Sequence, residues 1–591
     1  MAESIISPGV YTRENDISYI TPAPIQAGAA FVGPTVKGPE NQPLIVTSYS
    51  DYVRKFGETF LSASNKSYEF LTSVAVKNYF QNGGQTALVT RVVSGSYTGA
   101  VSTFISASAK GSTEPFTLTT LGEGVLYNSA TSSLAPLQLT GSGQGYTNSD
   151  GSLVSGSADN VRWEIANVNN TLGTFSVLVR QGDDSTNNKT ILETFNVNLD
   201  PNSDNYIEKV IGNQYTTVAT DGSTSYNYQV GEYPNTSNYI RVSAVNLPTN
   251  YYLANDGVTV NREAAGISYS GSLPATGSGS FYNASGAVKA GATFFSSINT
   301  SATDAQGLVA ANYTTAISLL SNKDDYQFNI ISTPGLLQRN TNFTSTVNSI
   351  IALAEDRGDC IAVVDLVATG SAVSTVTTAA TALNSSYAAT YWPWLQIQSA
   401  TGRNEWVPAG TVIPGVYAFT DASSAPWFAP AGLVRGGIGG VIQAERKLTK
   451  GDRDTLYSAK VNPIATFPGS GISVFGQKTL QTKASALDRV NVRRLLIELK
   501  KFIGDQARNL VFEQNTISTR NKFLATVNPY LESVVQRQGL YAYRVVMDDT
   551  NNTADVVDRN QLIGQIFIQP TKTVEFVVLD FTIEPTGATF A

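Results

Sequence analysis

Across residues 486–515, apolar side chains fall at Val492, Leu495, Leu496, Leu499, Phe502, Ile503, Leu510 and Val511. This spacing predicts an amphipathic helix with one stripe turned to a core. At about 100° per residue, Arg494, Lys501 and Arg508 fall on the opposite side, with Arg493 and Lys500 beside them. A basic row of this kind reads as a solvated face or as charge offered to a partner. Further on the period changes. Residues 543–547, 565–569 and 574–583 read as strands, and 548–553 as a turn cluster. In the last strand Val574, Phe576, Val578 and Asp580 share one face, and Glu575, Val577, Leu579 and Phe581 the other. Both faces are mostly apolar, which calls for burial rather than solvent.

Upstream, residues 21–94 alternate strand and helix. Residues 29–33, 44–47 and 86–93 are β-like, and 67–80 carries a helical stripe of Phe70, Leu71, Val74, Ala75 and Tyr79 that Asn82-Gly-Gly ends. Residues 305–400 repeat the alternation: strands at 327–332, 360–367 and 394–397, and helices at 343–357 and 372–389. Such alternation predicts a parallel sheet with right-handed crossovers. Between the two, residues 95–304 lose helical periodicity; β-like runs at 175–180, 194–198 and 239–245 sit among Gly, Ser, Asn and Thr turns. A sheet is thus expected to begin before a β-rich insertion and to be completed after it. Residues 401–430 are loop-rich, and Gly436-Gly-Ile-Gly-Gly leads into an expected helix through about Thr449. The expected fold is multidomain α/β and α+β. It comprises an N-terminal arm (1–20), a parallel-sheet α/β domain (21–94 with 305–430), an inserted β-rich outer region (95–304), and a C-terminal α+β domain (431–591) ending in an arm (572–591).

The chain has 591 residues, too many for one core. Charged residues make up 14%, well below the ~25% usual in globular domains, and turn-forming polar residues replace them. The net charge of −7 is unevenly distributed: residues 101–300 hold 8 basic and 15 acidic side chains, residues 431–591 hold 20 and 15. Neither region has the dense basic footprint of a nucleic-acid binder. One cysteine and no histidine rule out an intrachain disulfide and Cys/His zinc sites. The first residues lack a basic and apolar leader pattern, and no apolar run reaches the ~20 residues of a membrane span; synthesis in the cytoplasm is expected.

Without histidine, Ser-His-Asp and Cys-His catalysis is excluded, and Cys360, in an apolar run, reads as a buried structural thiol. There is no Gly-x-x-x-x-Gly-Lys-Ser/Thr phosphate loop, and Gly436-Gly-Ile-Gly-Gly reads as tight packing before the next element. The carboxylate pairs Asp183/Asp184, Asp324/Asp325 and Asp548/Asp549 are adjacent and turn-like, and read as solvated turns rather than a catalytic dyad. No catalytic, cofactor or metal residues are assigned.

Several stretches, in order, resemble contractile phage tail sheath proteins: Ser7-Pro-Gly-Val-Tyr, Gly33-Pro with Gly38-Pro, Arg453-Asp-Thr-Leu-Tyr, Asn462-Pro-Ile, Asn491-Val-Arg-Arg-Leu, Tyr543-Arg-Val-Val with Asp549-Thr-Asn-Asn-Thr, Asp558-Arg-Asn and Ile568-Gln-Pro. The resemblance covers 1–94 and 305–591 and not the insertion. It implies a structural, non-enzymatic subunit of a virion tail, assembled in the host cytoplasm, that stacks as six-fold rings around an inner tail tube and meets baseplate and tail terminator proteins. No cofactor, nucleic acid or membrane partner is implied. On this resemblance Arg493, Arg494, Lys500, Lys501 and Arg508 would face the tube. Ser7, Val10, Tyr11, Val574, Phe576, Val578, Leu579 and Phe581 would belong to arm strands donated to neighbours. The sheath of a headless injection particle and a β-rich receptor-binding tail protein are the alternative readings.

Overall fold

In the strand Ile25–Gly33, Ala29 and Phe31 enter one hydrophobic cluster while Ala30 and Val32 enter another. A strand buried on both faces belongs in the middle of a covered sheet. The computed structural model, which describes residues 25–61, 67–128, 147–222, 224–254, 256–261, 269–288 and 298–575, puts it there. Ile25–Gly33 pairs in parallel with Tyr326–Leu337 on one side and Ala87–Arg91 on the other. The sheet continues outward through Ile361–Asp365, Ala388–Trp392 and Asn462–Phe467, all parallel. Short antiparallel strands, Leu44–Val46 and Gly471–Val474, form its two edges. The sheet therefore extends past residue 430, into the stretch read as C-terminal.

Helices cover both faces. Thr344–Arg357 places Val347, Ile350, Ile351 and Ala354 on one face, as its periodicity predicts. It ends at Gly358, whose φ of 69° is left-handed and whose N–H bonds Ala354 O. Leu71–Gln81 and Ile413–Ser423 cover the other face. Cys360 is buried, and burial pushes its thiol pKa up.

Three expected helices are corrected. The helix at 372–389 stops at Thr381, and Ala388–Trp392 is a fully buried strand. Ser385 Oγ accepts the Tyr387 N–H in the turn between them, the local bond that competes with helix continuation. The helix through Thr449 is instead a strand, Val441–Ala444, paired with Leu395–Gln398. Thr449 caps the helix after it, Lys450–Ser458, its hydroxyl accepting from Asp452 N at 3.1 Å. The C-terminal helix runs Val490–Arg508, and a second helix, Ile517–Gln536, follows unanticipated.

The strands between Gly99 and Tyr282 pair only with one another among the described residues. Two four-stranded antiparallel sheets share one core, with Phe116 stacked on Phe175 at 5.5 Å; this is a sandwich with its own interior. The expected solvated turn at Asp183/Asp184 is half corrected. The Asp184 carboxylate is buried between Arg162 and Arg180, which reach it from the two central strands. A separate hairpin, Tyr215–Asp221 with Thr224–Val230, rests on Thr314–Leu320 through Ser225 N to Ser318 Oγ at 2.8 Å.

The sandwich joins the sheet at a polar seam. Arg91, at the end of its strand and fully buried, donates to Gly38 O and to Glu123 O at 3.0 Å. The Glu123 carboxylate accepts Glu40 N at 2.7 Å, and Glu40 accepts Tyr97 N at 3.2 Å. Burial pushes the Glu123 pKa up to about 7.

Candidate assembly surfaces

The helix Val490–Arg508 touches two interiors. Val490 and Ile497 belong to the sheet's core; Leu495 and Leu499 pack with Phe523, Val527, Leu531 and Val534 of Ile517–Gln536 and with Trp427. Its first half therefore has no wide solvent face. This corrects the expected basic row at its N-terminal end. Arg494, 3% exposed, pairs with Asp421 at 2.5 Å and lies 4.7 Å from the Tyr417 ring centre. Arg493, 4% exposed, donates to Ser386 Oγ at 2.5 Å and stacks 3.9 Å from the centre of Tyr387. Paired, hydrogen-bonded and stacked guanidinium groups can be buried where a bare charge cannot. Both arginines clamp the C-terminal unit to the sheet and are not free to meet another molecule.

The second half of the helix is different. Lys500 is exposed, with Nζ 3.2 Å from Tyr387 Oη. Arg508 is exposed and makes a surface ion pair with Asp324 at 2.9 Å. Lys500, Lys501 and Arg508, with Lys323, line a cleft of about 270 Å³ between the helix and the start of Tyr326–Leu337. Exposed pairs of this sort contribute ~0–1 kcal/mol to stability, so these charges are not explained by folding alone.

The C-terminal unit's own sheet has just two strands, Leu540–Val546 and Gln565–Pro570, antiparallel. Their outer edges are unpaired among the described residues, and Tyr541 and Phe567 are exposed on them. One side packs on Ile517–Gln536, where Tyr543 Oη donates to Asn528 O at 3.0 Å. Two strands are marginal alone, and open edges are templates for further strands.

Past this hairpin the chain returns to the sheet. Gln477 donates to Thr573 Oγ1 at 2.7 Å, and Arg489 holds Glu575 through two bonds of 2.6 and 3.0 Å. Burial opposes the Glu575 charge, but the Arg489 guanidinium holds its carboxyl below the usual range. Val574, described as irregular rather than strand, is 79% exposed. The other arm residues, Ser7, Val10, Tyr11, Phe576, Val578, Leu579 and Phe581, lie outside the described residues.

Among the described residues no cluster of three or more metal-ligating side chains occurs, and no helix is long and apolar enough to cross a membrane. Gly436 lies against the edge strand, where a Cβ would come 2.7 Å from Val474 O; its lack of a side chain serves close packing.

Two family models match in succession: the phage tail sheath protein central domain over residues 306–480 and the phage tail sheath C-terminal domain over 482–584. The tail sheath protein of Vibrio phage KVP40 is 42% identical over 196 residues, 33% of this chain and 29% of that protein. That of Enterobacteria phage T4 is 40% identical over 187 residues, 32% of this chain and 28% of that protein. The matched segment thus spans less than a third of these relatives' length. A crystal structure of a sheath tail protein from Listeria innocua shares the fold at 11% identity, with a TM-score of 0.50 over 92% of this chain and 95% of that one. Two successive segments of this chain, 306–480 and 482–584, are thus similar to the central and C-terminal domains of phage tail sheath proteins.

Proposed function

We propose that this chain is the sheath subunit of a contractile tail. It polymerises as stacked six-fold rings around an inner tube, meets baseplate and terminator proteins at the ends, and shortens to drive the tube through a host envelope. The observation that carries this reading is the two-stranded sheet of the C-terminal unit, with both edges unpaired among the described residues. Strands from neighbouring subunits complete it, and the β-like segments near Ser7–Tyr11 and after Val574 are the donors. Backbone pairing supplies affinity with little demand on side chains, and contacts that do not close on themselves propagate a lattice. The extended polymer is a kinetically trapped state, so contraction consumes no nucleotide.

Within this reading the tube-facing charge reduces to Lys500, Lys501 and Arg508. Reversing all three to Glu leaves the subunit folded and prevents assembly on an acidic tube; normal co-assembly of that variant counts against the assignment. Electron microscopy of the purified chain tests the whole reading. Six-fold tubes are expected, and discrete trimers or persistent monomers overturn it in favour of a receptor-binding protein.

A further inference from the structure

A cleft of about 670 Å³ lies where the sandwich, the start of the sheet unit and the hairpin of Tyr215–Asp221 with Thr224–Val230 meet. Part of its floor is the strand Ile240–Val245. Ile240 and Val242 turn into the sandwich core, so Arg241 between them turns the other way, into the cleft. The walls are tied to one another. Lys37 pairs with Asp159 at 3.0 Å, Gln42 donates to Thr216 O at 3.1 Å, and Arg54 donates to the Tyr239 hydroxyl. A cleft braced from several sides keeps its shape without a ligand, so little ordering opposes binding.

Four cations line the cleft, and three of them are occupied: Lys37 by Asp159, and Arg54 and Lys55 both by Asp51. Of the carboxyl groups on the wall, Asp159 is held by Lys37 and Glu123 accepts Glu40 N. Arg241 has no carboxylate partner among the described residues; its guanidinium lies 4.3 Å from the centre of the Tyr215 ring. Burial pushes its pKa below the ordinary arginine value. Elsewhere in the chain Arg162 and Arg180 reach Asp184, Arg357 reaches Asp359 and Arg494 reaches Asp421. A half-buried guanidinium left with an aromatic face alone is under-compensated, and its fork of N–H donors matches a carboxylate from outside.

Charge and polarity narrow the ligand. One free cation calls for one negative charge, whereas a polyphosphate calls for several. The side-chain amides of Gln181, Gln214 and Gln229 open on the same space, and Tyr215, 42% exposed, offers ring surface beside Arg241. Amides for hydroxyl groups, an aromatic face for a ring and one arginine for a carboxylate together describe a sugar acid. We infer that this cleft binds a uronic-acid unit, with its carboxylate on Arg241 and its ring against Tyr215. The site belongs mainly to the inserted region and does not depend on the sheath reading.

Isothermal titration calorimetry on the full-length chain tests this. The probes are galacturonate and glucuronate, each as monomer and trimer, a neutral glucose trimer, and inorganic phosphate. The better acid trimer is expected to bind at least ~10-fold more tightly than the glucose trimer, and phosphate is expected not to displace it. Arg241→Gln should weaken that binding at least ~10-fold with no fall in melting temperature. Tyr215→Ala, on the exposed hairpin, should weaken it as well, and it decides the matter if Arg241→Gln does not fold. A trimer that binds more tightly than its monomer identifies a polysaccharide as the source, and equal binding identifies a free sugar acid; either supports the site. Absence of binding by all four uronates, equal affinity for the neutral trimer, displacement by phosphate, or wild-type affinity in folded Arg241→Gln overturns it. None of these measurements reads polymerisation, so each of those failures leaves the sheath reading standing.

Discussion

The inserted sandwich and the C-terminal unit are both partly β, but they differ in how far their own sheets enclose a core. In the sandwich two four-stranded sheets close on one interior, and Phe116, Trp163, Phe175 and Phe281 are all buried in it. In the C-terminal unit a two-stranded sheet stays open, and Tyr541, Phe567 and Phe512 face outward. Their attachments differ as well. The sandwich meets the sheet through a polar seam built on Glu40, Arg91 and Glu123, whereas the C-terminal helix shares hydrophobic cores and is clamped by Arg493 and Arg494. A region finished within one chain can be added or removed as a unit; under the proposed function, a sheet left open is where neighbouring subunits join.

The largest expected effect attacks the open region. Deleting residues 1–20 or 572–591 should leave a folded monomer and abolish polymerisation. Light scattering and electron microscopy check this, and contractile tubes from either truncation would break the comparison. Next is the clamp. Arg494→Ala removes a buried guanidinium that pairs with the partly exposed Asp421 and packs on Tyr417, and should lower stability by about 1–3 kcal/mol in urea unfolding, whereas Lys501→Glu should change it by less than ~0.5 kcal/mol.

The seam should show itself in pH dependence. Burial raises the Glu123 pKa from its ordinary value of 4.5 to about 7. The folded state therefore holds a proton that the unfolded state has lost between these values, and this contribution is largest at low pH and is lost as pH rises through about 7. Glu123→Gln keeps the acceptor for Glu40 N and should flatten that slope, gaining roughly 2 kcal/mol at pH 8 after allowance for partial solvent contact. Melting temperatures from pH 5 to pH 8 measure it; an unchanged slope would remove the proton from the seam. The smallest effect is expected from replacing residues 95–304 by a short Gly/Ser linker. Polymerisation should persist, since the sandwich's strands pair only among themselves among the described residues, and failure of a folded product to form tubes would show that the closed region also takes part in the lattice.

Much of this was legible wherever burial follows local period. The helix Thr344–Arg357 announces its inward face, and the strand alternation announces the parallel sheet. The burial of Arg493 and Arg494 was not legible. It depends on Tyr387, Tyr417 and Asp421, 73 or more residues away in sequence, and a helix wedged between two cores has no free face for its periodicity to mark. Ile517–Gln536 did carry a signal, with Phe523, Val527, Leu531 and Val534 at helical spacing, but Pro529 in its interior argues against a helix by propensity. The exposure of Phe512 had none, because an outward phenylalanine and an inward one look alike in a sequence.

The pairing of Ile25–Gly33 with Tyr326–Leu337 spans some 300 residues and sets an order on biosynthesis. At roughly 5–20 residues per second, the first strand waits on the order of 15–60 s for its partner to leave the ribosome. During that interval the sandwich, whose pairings lie wholly within the inserted segment, can fold by itself, while the half-sheet of Ile25–Gly33, Leu44–Val46 and Ala87–Arg91 holds an exposed edge. The open hairpin, Leu540–Val546 with Gln565–Pro570, is translated after every strand of that sheet. A nascent chain thus completes its central sheet before it presents the open hairpin, and under the proposed function this order keeps half-made chains out of a growing polymer.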